Sequence, residues 1–143
     1  MEISKLLQLL ASGHDVKNLC DAISHKNSKK DICISGLVGS SAPLFFSSIL
    51  YSFINKKNKQ ANGLVPLLFI LNDEEEAGYF YHDMTQMIDD ETILFFPSSY
   101  RRAIKYNQKD AANEILRTNV LADPNRQCII TYPEALAEKV ISK

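Results

Sequence analysis

Apolar residues recur at three- and four-residue steps in several parts of the chain, and this spacing predicts amphipathic helices. Turn-forming residues such as Gly, Pro, Asn and Asp separate these segments, which supports their boundaries. The predicted helices cover residues 2–11, 15–23, 41–54, 73–88, 110–121 and 133–141.

Short apolar runs lie between these helices and predict β-strands at residues 32–34, 64–71, 93–96 and 128–131. Strands that alternate with helices indicate parallel crossovers, and near-continuous apolar strands are typical of parallel sheets covered on both faces. We therefore predict an α/β fold, a three-layer parallel sheet flanked by helices. Residues 1–30 would form amino-terminal helices packed on a domain of residues 31–143.

Residues 31–54 predict a strand, a small-residue turn and a helix in succession. Gly36 and Gly39 can take the positive φ of a tight strand-to-helix loop. Ser41 can cap the helix, and Pro43 suits its first turn because the missing N–H would have no partner there. This arrangement is the frame of a phosphate-binding loop, as in P-loop NTPases.

The residues that would bind nucleotide are missing from this frame. The phosphate-loop pattern requires Gly, four residues, Gly, Lys and then Ser or Thr. Counted from Gly36, through Ser40, the chain has Ser41, Ala42 and Pro43 at the last three positions. Each lost charge-assisted hydrogen bond costs roughly 1.5–3 kcal/mol. With the magnesium ligand also lost, a total of ~4–5 kcal/mol predicts nucleotide affinity about a thousandfold weaker.

Four segments in order carry a resemblance to a known family: residues 35–50, 66–84, 91–99 and 128–140. The first, SGLVGSSAPLFFSSIL, looks like the degenerate loop that opens transcription-repair coupling factors (Mfd). The first domain of that family is similar to domain 1a of the excision-repair protein UvrB. The other three segments, PLLFILNDEEEAGYFYHDM, ETILFFPSS and CIITYPEALAEKV, follow in the family's order of strands, turns and helices.

This resemblance implies a RecA-like domain with a degenerate phosphate loop and no catalytic role, metal or cofactor of its own. The implied parent is an ATP-dependent DNA translocase that acts in nucleotide excision repair of transcribed strands. In that family UvrA is engaged mainly by the following domain, while RNA polymerase and DNA are engaged by others. The chain would then scaffold the UvrA-recruiting module and help to restrain the motor.

Composition adds limits on partners and location. A chain of 143 residues with net charge −1 has no global attraction to DNA or to an anionic membrane. No apolar run reaches the ~18 residues that span a bilayer, and residues 1–10 make a poor signal peptide, so we expect a cytoplasmic protein with no membrane partner. Three widely spaced cysteines predict reduced thiols, buried or half-buried.

Several other interpretations stay open at this stage. The loop could bind nucleotide or another anion through backbone N–H groups alone. A different doubly wound domain that binds a small anion would also fit the pattern. The acidic residues 72–76 follow a strand and suit either helix capping or magnesium, while His14, His25 and His82 are isolated from other metal ligands. Basic and aromatic residues alternate over residues 100–106 and could contact nucleic acid.

Overall fold

The computed structural model describes residues 2–24, 31–57, 66–88, 92–100, 110–122 and 128–140. Helices and strands alternate through most of these ranges, as the sequence pattern predicts. In chain order the elements are α1 (Ile3–Ala11), α2 (His14–Ser24), α3 (Ser41–Lys57), β1 (Leu67–Ile70), α4 (Glu74–Thr85), β2 (Ile93–Phe96), α5 (Ala111–Ala122), β3 (Cys128–Thr131) and α6 (Pro133–Ala137). None of the described helices combines the length and apolar character needed to cross a bilayer.

The chain divides into two compact units. The helical unit comprises Met1–Val65 with Gln86–Ile88, and the sheet unit comprises Pro66–Thr85 with Asp89–Lys143. In the helical unit, α1 and α2 both pack against α3. Their apolar faces meet in a core that contains Leu7, Val16, Cys20, Ile49, Leu50 and Phe53.

The sheet unit is built on a small open sheet of three parallel strands in the order β1-β3-β2. Leu67, Ile93 and Cys128 lie side by side in this register, as do the three residues that end the strands: Ile70, Phe96 and Thr131. The chain moves two positions across the sheet from β1 to β2 and then one position back to β3. Two crossover connections of the same hand that run in opposite directions across a sheet place their helices on opposite faces.

Helices α4 and α5 cover the two faces accordingly. Phe80 and Tyr81 of α4 pack against Phe69 and Phe95, with ring centroids 5.3 and 5.2 Å apart. The next residue, Phe96, points to the other face because side chains alternate along a strand. On that face the guanidinium of Arg117, from α5, lies over the Phe96 ring. The predicted parallel sheet flanked by helices is therefore present in this unit.

The edge strand β1 corrects the expectation that both faces are covered throughout. Its side chains alternate between half-buried and exposed, and Leu68 and Ile70 are each 55% exposed. These two residues lie on the face that α5 covers at β2, the opposite edge of the sheet. An apolar sequence therefore did not ensure burial, because cover also depends on which helix lies over each strand.

The strand predicted at residues 32–34 is absent. Residues 31–38 form no strand, and Ile32, Cys33 and Ile34 are exposed. A strand is stabilised by pairing its N–H and C=O groups with a neighbour, and three apolar residues do not supply that neighbour. The prediction that all cysteines are buried or half-buried is also wrong for Cys33.

Helix ends and faces differ from prediction in three places. The sequence predicts Asp15 as the cap of α2, but this helix begins at His14. Asp15 therefore lies in the first turn, where a carboxylate suits the helix dipole. The apolar spacing in α5 predicts that Ile115 and Leu116 face inward, but these residues are 61% and 36% exposed. Helix α6 ends at Ala137 instead of continuing towards residue 141, which lies outside the described residues.

Candidate functional site

The loop before α3 has the backbone geometry predicted from its glycines. Gly36 and Gly39 have φ values of 85° and 56°, in the region that favours glycine. A Cβ added at either glycine would meet nothing within 4 Å, so their backbone conformation, and not crowding, is the reason for glycine at both positions. The chain turns at Gly39 and Ser40 and enters α3 at Ser41.

Ser41 does not cap the helix in the way that was predicted. Helix α3 starts at Ser41 itself, and the carbonyl of Ser40 accepts a 3.2 Å hydrogen bond from the N–H of Leu44. The Ser41 hydroxyl instead accepts a 2.6 Å hydrogen bond from the N–H of Val38. Ser40 is therefore the capping position, and the Ser41 side chain closes the turn that precedes it.

Two of the amide groups that could bind a phosphate here are already used within the loop. The N–H groups of Ser41 and Ala42 donate to the carbonyls of Val38 and Gly39 at 3.2 and 3.5 Å. Pro43 has no N–H. At the three positions where the nucleotide-binding pattern has Gly, Lys and Ser or Thr, the loop thus presents neither a cationic side chain nor a free amide.

The acidic residues after β1 form a helix cap. The Asp73 carboxylate accepts a 2.9 Å hydrogen bond from the N–H of Glu76. The Glu76 carboxylate in turn accepts from the backbone and side-chain amides of Asn72, at 3.1 and 2.6 Å. This reciprocal arrangement is a capping box shifted by one residue, and it confirms the capping interpretation of this segment.

A second polar cluster, which the sequence reasoning missed, lies where β2 and β3 end. Its centre is the Glu138 carboxylate, just after α6. One carboxylate oxygen accepts from the Ser99 N–H at 2.8 Å and from the Ser98 hydroxyl at 3.1 Å, and the other accepts from the Ser99 hydroxyl. Arg117 Nη1 lies 3.6 Å from Glu138 Oε2. We call Ser98, Ser99, Arg117 and Glu138 the carboxylate cluster.

Arg117 reaches this cluster from α5 through a buried position. Its side chain is 7% exposed, and its guanidinium carbon lies 4.2 Å from the centroid of the Phe96 ring. Nη1 donates to the carbonyls of Pro97 and Ala135 at 2.8 and 3.0 Å. Nη2 is buried and has no hydrogen-bond partner among the described residues. The arginine therefore links α5 to the turn after β2 and to α6.

Further hydrogen bonds hold the turn after β2 in one conformation. The Ser98 N–H donates to the Tyr132 hydroxyl, and Asn113 Nδ2 donates to the Ser98 carbonyl, both at 2.8 Å. The Thr131 hydroxyl donates to the Phe96 carbonyl at 2.8 Å. Donors in the cluster are thus fixed by contacts with three different elements, which makes the site preorganised.

The electrostatics of the cluster favour an ionised Glu138. Burial of the carboxyl group acts to raise its pKa, but this effect is outweighed. Hydrogen bonds from the Ser99 hydroxyl and N–H, the charge of Arg117 and the Ser98 hydroxyl together hold the pKa of Glu138 below its ordinary value. A negative charge is therefore the favoured state at this position.

Other candidate residues are not brought together. Among the described residues, no group of three His, Cys, Asp or Glu side chains could hold a metal ion. Burial raises the pKa of the Cys128 thiol to about 12, so this cysteine is a poor nucleophile. His25 lies outside the described residues, as does the basic and aromatic stretch except for Tyr100.

Comparison with known proteins adds no relative. The chain matches no protein-family model, no curated protein and no solved structure at significance.

Proposed function

We propose that this chain is a non-catalytic, RecA-like domain of the transcription-repair coupling factor type. It would scaffold the module that recruits UvrA and help to restrain the ATP-driven motor during nucleotide excision repair. Its own phosphate loop would be a structural remnant, so the ATPase activity of the parent would belong to other domains.

The observation that carries this proposal concerns the loop before α3, in which several N–H groups are already hydrogen-bonded within the loop. Its two glycines keep the positive φ angles of a tight entry into a helix. Ala42 stands where a nucleotide-binding loop has lysine, and the N–H groups of Val38, Ser41 and Ala42 are used internally. A loop that keeps the glycine turn into the helix, but lacks the preceding strand and the phosphate ligands, fits a domain in which the helix entry matters and hydrolysis does not.

The main alternative is a nucleotide or anion site formed by backbone N–H groups alone. Such a site needs several amides that point outwards at one helix end. The bonds made by the N–H groups of Val38, Ser41 and Ala42 count against it, because a ligand would have to break them before it could bind. We therefore rank it below the scaffold function.

A calorimetric titration with Mg-ATP up to millimolar concentration tests the loop. We expect no binding heat for the natural chain, because the cation is absent and the N–H groups of Val38, Ser41 and Ala42 are already hydrogen-bonded. The double variant Ala42→Lys, Pro43→Thr restores a charge and a hydroxyl and should bind measurably if the backbone frame is intact. A matched Ala42→Gln, Pro43→Thr variant has an uncharged side chain one atom shorter than lysine and should not bind.

The scaffold role is tested in the parent protein. We expect removal of residues 1–143 to raise the ATPase rate several-fold, because a restraint on the motor would be lost. Micromolar ATP binding by the natural chain would overturn the relic interpretation. An unchanged ATPase rate after the deletion would overturn the restraint, whatever the loop binds.

A further inference from the structure

The carboxylate cluster resembles a binding site that already holds its ligand. Two hydroxyls, one backbone N–H and a guanidinium converge on the single carboxylate of Glu138. Every donor in this set comes from the turn after β2 or from α5. The acceptor alone comes from the segment after α6.

Two of the donor residues are buried with no external ligand present. Ser99 is 1% exposed and Arg117 is 5% exposed. A buried guanidinium is costly unless an anion and hydrogen-bond acceptors surround it. Because Arg117 Nη2 has no partner in the part of the chain that the structure describes, the guanidinium can donate to one more oxygen than Glu138 supplies.

The position of the cluster is one where α/β proteins bind ligands. Ser98 and Ser99 follow the carboxyl end of β2, next to the end of β3 in the parallel sheet. Crevices outside the carboxyl ends of parallel strands are the general ligand sites of open α/β sheets. The donors therefore lie where a ligand is expected, although the sheet is small.

The internal ligand is carried on a short element. Helix α6 has five residues, and the backbone of Glu138 is extended, with φ −76° and ψ 133°. Lys139 and Val140, which follow, are both exposed. Glu138 can thus leave the donors by a local change, without unfolding the sheet.

We propose that Ser98, Ser99 and Arg117 form a binding site for a small carboxylate, in which Glu138 acts as an internal ligand. While Glu138 is bound, the segment after α6 is held against the turn after β2. A tethered carboxylate acts at high effective concentration and excludes a free one. When the segment moves away, the same donors can take a carboxylate from solution.

Chemical rescue of Glu138→Ala tests this site. The variant removes the internal ligand and leaves the Arg117 charge and both hydroxyls in place. We expect a lower Tm, which sodium acetate raises by about 3–6 °C at ten times its Kd. Sodium chloride at equal ionic strength should not reproduce this effect. The natural chain should not respond, because Glu138 fills the site.

Matched variants separate specific binding from general salt effects. Glu75→Ala removes an exposed carboxylate of α4 and should show no acetate response. Adding Ser99→Ala to Glu138→Ala should weaken the rescue, since it removes the Ser99 hydroxyl, one of the two groups that Ser99 contributes to the site. Glu138→Gln fills the site with a neutral side chain, and it should fold and ignore acetate.

The outcomes decide the proposal in each case. If Glu138→Ala is unfolded in chloride, refolding in acetate supports the site and failure to refold overturns it. A folded Glu138→Ala that gives no shift also overturns it, as does an equal shift in the natural chain. Inorganic phosphate is titrated in parallel, and a larger effect of phosphate than of acetate would overturn the carboxylate assignment.

Discussion

Arg117 shows how a single residue redirects a helix. By its pattern, α5 should bury Ile115 and Leu116, but the helix turns Arg117 towards the sheet. The guanidinium stacks on the Phe96 ring, donates hydrogen bonds to two carbonyls and pairs with the Glu138 carboxylate. All these partners lie about 20 residues away in the chain. Hydrophobic periodicity cannot detect such a set, because each partner is unremarkable until the sheet brings it to the arginine.

The pH dependence of stability should report the charge of Glu138. Its pKa is lower in the folded chain than the ordinary 4.5, so ionised Glu138 stabilises the fold above that pH. The contribution is lost as the pH falls through the folded pKa. We expect Glu138→Gln to lower the free energy of unfolding at pH 7 by about 1.5–3 kcal/mol.

Urea unfolding of both proteins between pH 7 and pH 3 measures this effect. The difference between the natural chain and Glu138→Gln should shrink as the pH falls below 4.5, because protonation then removes the same charge from the natural chain. Glu75→Gln serves as a control for loss of an exposed carboxylate. A difference that stays constant from pH 7 to pH 3 would show that the charge of Glu138 does not stabilise the fold.

At the scale of helices and strands, local signals were reliable and burial was not. The three strands of the sheet and the cap of α4 follow from apolar runs and capping residues that act over a few positions. The strand predicted at residues 32–34 failed because a strand depends on a partner elsewhere in the chain. The loop at Gly36 was predictable from its glycines, whereas the carboxylate cluster joins residues up to 40 positions apart.

The capping box of α4 gives a prediction at this scale. Asp73→Ala removes the acceptor of the Glu76 N–H and should lower the free energy of unfolding by about 1 kcal/mol. Asp73→Asn keeps an acceptor at the same place and should cost less, since Asn is as good a capping residue. Chemical denaturation of both variants measures the difference, and equal losses would show that the hydrogen bond does not stabilise the helix.

At the scale of the whole chain, two units each have their own apolar core, and the sheet unit depends on its central strand. Ile130 and Cys128 of β3 are fully buried, whereas Leu68 and Ile70 of the edge strand are 55% exposed. A sheet of three four-residue strands has only one strand with neighbours on both sides. Strand order therefore decides which apolar residues are buried and stabilise the sheet, and no local pattern in the sequence specifies that order.

Truncation of the same kind of side chain at the centre and at the edge should separate these roles. Ile130→Ala leaves a cavity between Phe69 and Phe95, its neighbours in register, and should cost about 2–5 kcal/mol. That is a large fraction of the roughly 5–15 kcal/mol that stabilises a typical protein. Leu68→Ala removes a half-exposed side chain and should cost less than half as much, because much of its apolar surface is already in water. Both values come from urea unfolding. Equal costs would mean that β1 is covered as fully as β3, and the conclusion that one face of β1 is exposed would be wrong.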